Sequence, residues 1–116
     1  TINDYAFYNN KLTSATISDT VTSIGASAFE KNLLTSVTIP GLVTTIDSNA
    51  FKDNKLTSII IPESVINLGS GAFSTNELTY ACIKGKSGPE DFGAYDASAW
   101  TDSWAGSENI IWNCTY

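Results

Sequence analysis

The chain has 116 residues and a net charge of −6, with six lysines, twelve acidic residues and neither Arg nor His. An acidic surface without Arg argues against nucleic acids and anionic membranes as partners, because both require a cationic face. The lack of His excludes serine–histidine and cysteine–histidine catalysis. Because the chain has no Met and opens inside a repeated motif, we expect it to be a piece of a longer protein or a processed chain.

Apolar residues recur along the chain every 22 positions. The repeated columns are Leu12, Leu34, Leu56 and Leu78; Ile17, Ile39, Ile61 and Ile83; Val21, Val43 and Val65; and Ile24, Ile46 and Leu68. A partial unit, residues 2–10, precedes the first complete one. This period predicts a solenoid, in which each unit is too small to bury its apolar residues without a neighbour.

The first half of each unit predicts a β-strand. Residues 34–39 are rich in β-branched side chains, with Val37 and Ile39 on one face and Ser36 and Thr38 on the other. This alternation is typical of a half-buried strand.

The second half of the unit contains a Val-x-x-Ile segment, whose three-residue spacing fits neither a strand nor a long helix. We interpret it as a short extended segment with a bend, on the opposite side of the coil. Gly25 and Gly69, with Asp47 between them in register, are expected to allow a left-handed turn. An Ala-Phe pair on a short helical turn follows, and its aromatic column predicts a stacked spine inside the repeats. That column is Phe7, Phe29, Phe51 and Phe73.

An asparagine stands two residues before each repeated Leu. A buried turn leaves backbone groups that need partners, and the Asn amide supplies both a donor and an acceptor. We therefore predict a structural asparagine ladder. Its members are Asn10, Asn32, Asn54 and Asn76.

Three motifs together resemble a known family: Leu-Thr-Ser-Val-Thr-Ile-Pro at 34–40, Val-Thr-Ser-Ile-Gly at 21–25 and the recurring Ala-Phe-x-x-Asn. They are similar to the BspA-type leucine-rich repeat, also called the Treponema pallidum type, over residues 2–83. The resemblance implies a curved, mainly β solenoid with a parallel sheet on one face. It also implies display on a cell surface and adhesion to host proteins or other cells. This chain has Asn where many members have Cys, and the family assigns no fixed ligand residues.

The period stops after Ile83, which divides the chain into repeats at 1–83 and a C-terminal cap at 84–116. A short helix starting at Asp96 and a last strand over 109–114 are expected in the cap. Such a segment covers the apolar end and strand edge that a solenoid otherwise exposes. In an alternative interpretation, the three Trp residues form a sugar-stacking platform. They are Trp100, Trp104 and Trp112.

Two cysteines, Cys82 and Cys114, are predicted to form a disulfide that attaches the cap. The bond implies an oxidising, extracellular setting, whereas two free thiols in a cytosolic protein are the other interpretation. Two Cys without His leave a metal site short of ligands, so neither a metal nor another cofactor is expected. In the strand register, Cys82 falls on the outward face, in line with Ile60.

We therefore expect a non-catalytic recognition module that binds an extracellular or host-surface protein. The predicted contact surface is the outward strand row, where short hydroxyls form a flat platform and Ile60 and Tyr80 supply an apolar anchor. The row comprises Ser14, Thr16, Ser36, Thr38, Ser58, Ile60 and Tyr80. The same residues are also explained as strand formers that face water. A structural spacer that displays another domain, or glycan binding by the cap, are the alternative functions.

Overall fold

The structure of the chain, a computed structural model, describes residues 1–88, 91–92, 94–95 and 110–114. Within these residues the regular structure consists of short strands, without an α-helix. The strands are β1 Ser23–Ile24, β2 Thr45–Ile46, β3 Ser58–Ile61, β4 Asn67–Leu68, β5 Tyr80–Ile83, β6 Ala94–Tyr95 and β7 Ile110–Trp112. The chain is therefore mainly β, as the sequence predicts.

The strands form two sheets in which every neighbouring pair is parallel. One sheet has the order β1-β2-β4-β6, and the other has the order β3-β5-β7. The second sheet comes from the Leu-Thr-Ser segments, where a parallel sheet was expected. The first comes from the Val-x-x-Ile segments, where a short extended segment was expected; these strands have two residues each and pair into a ladder that the sequence did not predict.

Successive repeats stack in a constant register of 22 residues. Ser23 pairs with Thr45, Thr45 pairs with Asn67, and Ser58 pairs with Tyr80. An isolated bridge between Ile2 and Ile24 adds the partial first unit in the same register. The sequence period is thus the pairing register of both sheets.

The Leu-Thr-Ser segments of the first two full units are not regular strands, contrary to the prediction. Residues 14–17 and 36–39 keep the expected alternation of burial, but they are not part of the ladder. The inward side chains differ in size and burial: Ala15 and Val37 are half-buried, whereas Ile59 in β3 is fully buried. Less buried apolar area anchors these two segments to the core, which favours a looser backbone.

Both ladders continue beyond Ile83, although the sequence period does not. Asn67 in β4 pairs with Ala94, 27 residues later, and Ala81 in β5 pairs with Ile110, 29 residues later. The C-terminal segment therefore adds one strand to each sheet. The helix expected to start at Asp96 lies outside the described residues, and the domain boundary after residue 83 stays a prediction.

A single hydrophobic core joins the two sheets. Ile24, Ile46 and Leu68 from one sheet and Ile59 and Ile61 from the other belong to the same buried cluster.

The predicted aromatic spine is present, and Phe29, Phe51 and Phe73 of it belong to this core. Phe29 and Phe51 stack with ring centroids 5.2 Å apart and planes 2° from parallel, and Phe51 and Phe73 stack at 5.4 Å and 3°. Phe7 stacks on Phe29 at 5.2 Å and 17°. These separations follow the spacing of roughly 4.8 Å between neighbouring strands, so the rings stack as closely as the backbone permits.

Asparagine side chains connect each repeat to the one before it. The Asn54 amide donates to the carbonyl of Phe51 in its own repeat at 3.0 Å and to that of Phe29 in the preceding one at 2.9 Å. Its Oδ1 atom accepts the Leu34 N–H at 3.1 Å. Asn32 and Asn76 make equivalent bonds in their repeats. Each of these side chains thus satisfies backbone groups on two levels of the stack.

The left-handed residues of each turn are not the glycines that the sequence suggested. Gly25 and Gly69 lie outside that region of φ, and a Cβ atom on Gly25 would come within 2.6 Å of the Asp4 backbone nitrogen. Glycine is therefore needed at position 25 for close packing between repeats. Left-handed φ values occur instead in two other columns of the turn. They are Tyr5, Ser27, Asn49 and Gly71, and Asn9, Lys31, Asp53 and Thr75.

Replacing Asn54 tests the bonds between repeats. Asn54→Leu keeps the side-chain volume but leaves the buried Leu34 N–H without its partner. It also removes one of the two amide bonds that the Phe29 and Phe51 carbonyls each accept, so we expect a loss of about 2 kcal/mol in the free energy of unfolding. Urea denaturation followed by circular dichroism measures this loss. Asn10→Leu is the matched control, because Asn10 is exposed. Equal losses in the two variants would contradict the assigned role.

Thr75→Gly tests the backbone strain. Thr75 is β-branched, exposed and left-handed at φ 55°, and removal of its Cβ relieves a strain of about 1 kcal/mol. We expect the variant to gain stability in thermal unfolding. Thr35→Gly, at an exposed position without positive φ, should lose stability instead. A loss in both variants would mean that position 75 carries no strain.

Candidate functional site

The residues of the predicted contact row lie on one side of the strand segments. The five hydroxyl residues, Ser14, Thr16, Ser36, Thr38 and Ser58, are exposed. Ile60 is 39% exposed, and Tyr80 is half-buried. None of the row residues carries a carboxylate or an ammonium group.

The structure brings the central part of this row together in one shallow groove. Four of its members, Ser36, Thr38, Ser58 and Ile60, line a depression of about 300 Å³ beside Lys84.

The ends of the row lie outside this groove. Ser14 and Thr16 line a separate, more apolar cavity of about 420 Å³ that also contacts Phe7 and Phe29. Tyr80 is the register partner of Ser58 and so lies beside the groove, without lining it.

Ile111 extends the row, although the sequence pattern did not indicate it. Ile60 of β3 pairs with Cys82 of β5, which in turn pairs with Ile111 of β7. Ile111 is 43% exposed, so two exposed isoleucines lie on either side of Cys82 along the outward row. The 22-residue period could not have located Ile111, because β7 joins the ladder with a longer spacing.

The predicted disulfide between Cys82 and Cys114 is present, with the two Cα atoms 5.7 Å apart. Cys82 occupies the outward register position that the sequence predicted, but its side chain has no exposed surface. Cys114 is half-buried and lines an open cleft of about 870 Å³, together with Pro62, Glu63 and Lys84. The bond attaches the residues that follow β7 to β5.

Polar contacts hold the turn that follows β5. The Lys86 ammonium group is buried, donates to the Glu63 carbonyl at 2.8 Å and lies 5.4 Å from the centre of the Phe92 ring. The Ser87 N–H and hydroxyl donate to the Asp91 carboxylate at 2.7 and 2.8 Å, and these bonds lower the pKa of Asp91 below its usual value. Each of these ionisable groups is thus occupied in structural contacts.

The described residues contain no group of three or more acidic or cysteine side chains placed to hold a metal ion. Over the same residues, no helix is long and apolar enough to cross a membrane. Two residues of the alternative sugar platform, Trp100 and Trp104, lie outside the described part of the chain. Trp112 is half-buried in β7 and packs edge-to-face on Phe92, with the ring centroids 6.3 Å apart.

Comparison with known proteins identifies the repeat. The family model of the BspA type leucine rich repeat region matches residues 1–91 with six copies. The match includes the residues 2–83 that the motifs indicated and continues into the turn after β5. No curated protein and no solved structure shows a significant match to the chain.

Proposed function

The chain belongs to the family of BspA-type leucine-rich repeats, and from this premise we propose that it is a non-catalytic recognition module of a cell-surface protein. Leucine-rich repeats of this kind are typically interaction modules without enzymatic activity. We further propose that the stacked repeats form a curved solenoid, because both ladders keep one register from repeat to repeat. The partner is an extracellular protein, of a host or of another cell.

The observation that carries this proposal is the composition of the outward row. Its short hydroxyl side chains lose little conformational entropy when a partner covers them. Ile60 and Ile111 provide exposed apolar surface at one end of the row, and apolar side chains that a partner buries fully contribute much of the binding free energy. The row thus combines a flat polar platform with an apolar anchor.

The charge distribution agrees with a protein partner. The chain carries a net charge of −6, yet the row itself has no acidic residue. A partner can therefore approach the row without desolvating carboxylates, which is costly unless each is paired. The disulfide supports an extracellular location, since such bonds persist in oxidising compartments.

Substitution of Ile60 tests the assignment. The chain is screened against an array of purified extracellular proteins, and each hit is measured again with Ile60→Lys. We expect at least a tenfold loss of affinity, because a buried ammonium group replaces the apolar anchor. The matched control is Ile66→Lys, since Ile66 is 50% exposed but lies outside the row. Circular dichroism checks that both variants fold.

If a bound protein has the same affinity for Ile60→Lys as for the unchanged chain, the assigned site is wrong. If Ile66→Lys loses as much affinity as Ile60→Lys, the effect is not specific to the row. An array without any hit would favour the structural spacer.

A further inference from the structure

The apolar end of the contact row is assembled from chain segments that lie far apart in the sequence. Ile60 is in the third repeat, whereas Ile111 is in β7, which joins the described part of the sheet through its pairing with β5. The outward position between these two isoleucines is Cys82. The row is therefore complete only while β7 stays paired with β5.

A short ladder, two half-buried side chains and a disulfide hold β7 in place. It is three residues long, and the Asn113 N–H extends its pairing by donating to the Ile83 carbonyl at 2.8 Å. Ile110 and Trp112 are half-buried and pack against the core, and Trp112 adds the edge-to-face contact with Phe92. The ladder itself spans three residue pairs. The Cys82–Cys114 bond is the covalent link that keeps it at the edge of β5.

We propose that the Cys82–Cys114 disulfide controls the partner-binding row, which is complete in the oxidised chain and loses Ile111 when a dithiol reduces the bond. This inference rests on the proposed function, since it concerns the regulation of the same surface. Binding is then confined to oxidising surroundings, and a reducing compartment inactivates the row without unfolding the repeats.

The chemistry is an ordinary thiol–disulfide exchange. A thiolate of the dithiol attacks Sγ of Cys114, the S–S bond breaks, and Cys82 leaves as a thiolate that takes up a proton. The second thiol of the reductant then attacks the mixed disulfide and releases the Cys114 thiol. Two electrons pass from the dithiol to the protein, and the reductant becomes a disulfide.

The two sulfur atoms differ in exposure to solvent. The rate at which a dithiol reduces the bond therefore depends on whether β7 is paired with β5. Cys114 borders the open cleft, whereas Cys82 is fully buried. Attack at Cys114 expels a thiolate at the buried position, where desolvation disfavours the charge. Reduction is therefore slow while β7 is in place, and it becomes faster as β7 separates from β5.

Hydrogen–deuterium exchange tests the proposal without any partner. Three samples are compared: the oxidised chain, the chain reduced with dithiothreitol, and the double variant C82S/C114S. We expect amides at 110–113 to exchange at least tenfold faster in the reduced and double-variant samples. The amides of Leu34 and Leu56, which donate to asparagine side chains in the repeats, should keep their rates.

Unchanged exchange at 110–113 in the reduced chain would overturn the inference. Faster exchange of the Leu34 and Leu56 amides would also overturn it, because reduction would then loosen the repeats as well as β7. The reduced wild-type chain decides the question if the double variant fails to fold. Since these measurements need no ligand, they are independent of the Ile60→Lys test, whose failure would instead remove the proposed function.

Discussion

Hydrogen bonds from one asparagine per repeat determine how the repeats stack. The Asn54 side chain bonds the Phe29 carbonyl of the preceding repeat, the Leu34 N–H at the start of its own repeat and its own Phe51 carbonyl. A slip of one residue between repeats would break these bonds and leave buried backbone groups unpaired. Apolar contacts are less selective, because they depend on area more than on direction. The constant register of both sheets and the parallel stacking of the phenylalanine rings therefore follow from this directional constraint.

The constant register is accompanied by local backbone strain in the turns. Residues such as Lys31 and Thr75 adopt left-handed backbone conformations that disfavour side chains with a Cβ atom. Such conformations persist only where the surrounding structure determines them. Here they lie on either side of the column of buried phenylalanines. Burial of one such ring stabilises the fold by roughly 2–3 kcal/mol, which offsets the strain.

Much of the scaffold could be predicted from the sequence, because identical residues in register leave a visible period. The Leu, Ile and Phe columns lie in the core as expected, except in the first level of the stack, where Leu12 is half-buried and Phe7 is 43% exposed. The Val-x-x-Ile ladder was missed, since strands of two residues are too short to show alternation. The left-handed positions were misplaced because residues with a side chain occupy most of the two columns, in which Gly71 is the one glycine. Ile111 was missed because β7 joins the sheet outside the period. The outward row could be predicted as an exposed surface. Its partner could not be predicted, because the same residue types also occur in strands that simply face water.

NMR scalar couplings across hydrogen bonds measure directly whether each asparagine side chain bonds the backbone of the neighbouring level of the stack. In a long-range HNCO experiment, we predict cross-peaks from the Leu34 amide nitrogen to the Asn54 side-chain carbonyl carbon and from Leu56 to that of Asn76. The backbone bond from the Phe29 N–H to the Ala50 carbonyl, at 2.8 Å, is the internal control. A spectrum that shows the Phe29–Ala50 coupling but neither asparagine coupling would contradict the account.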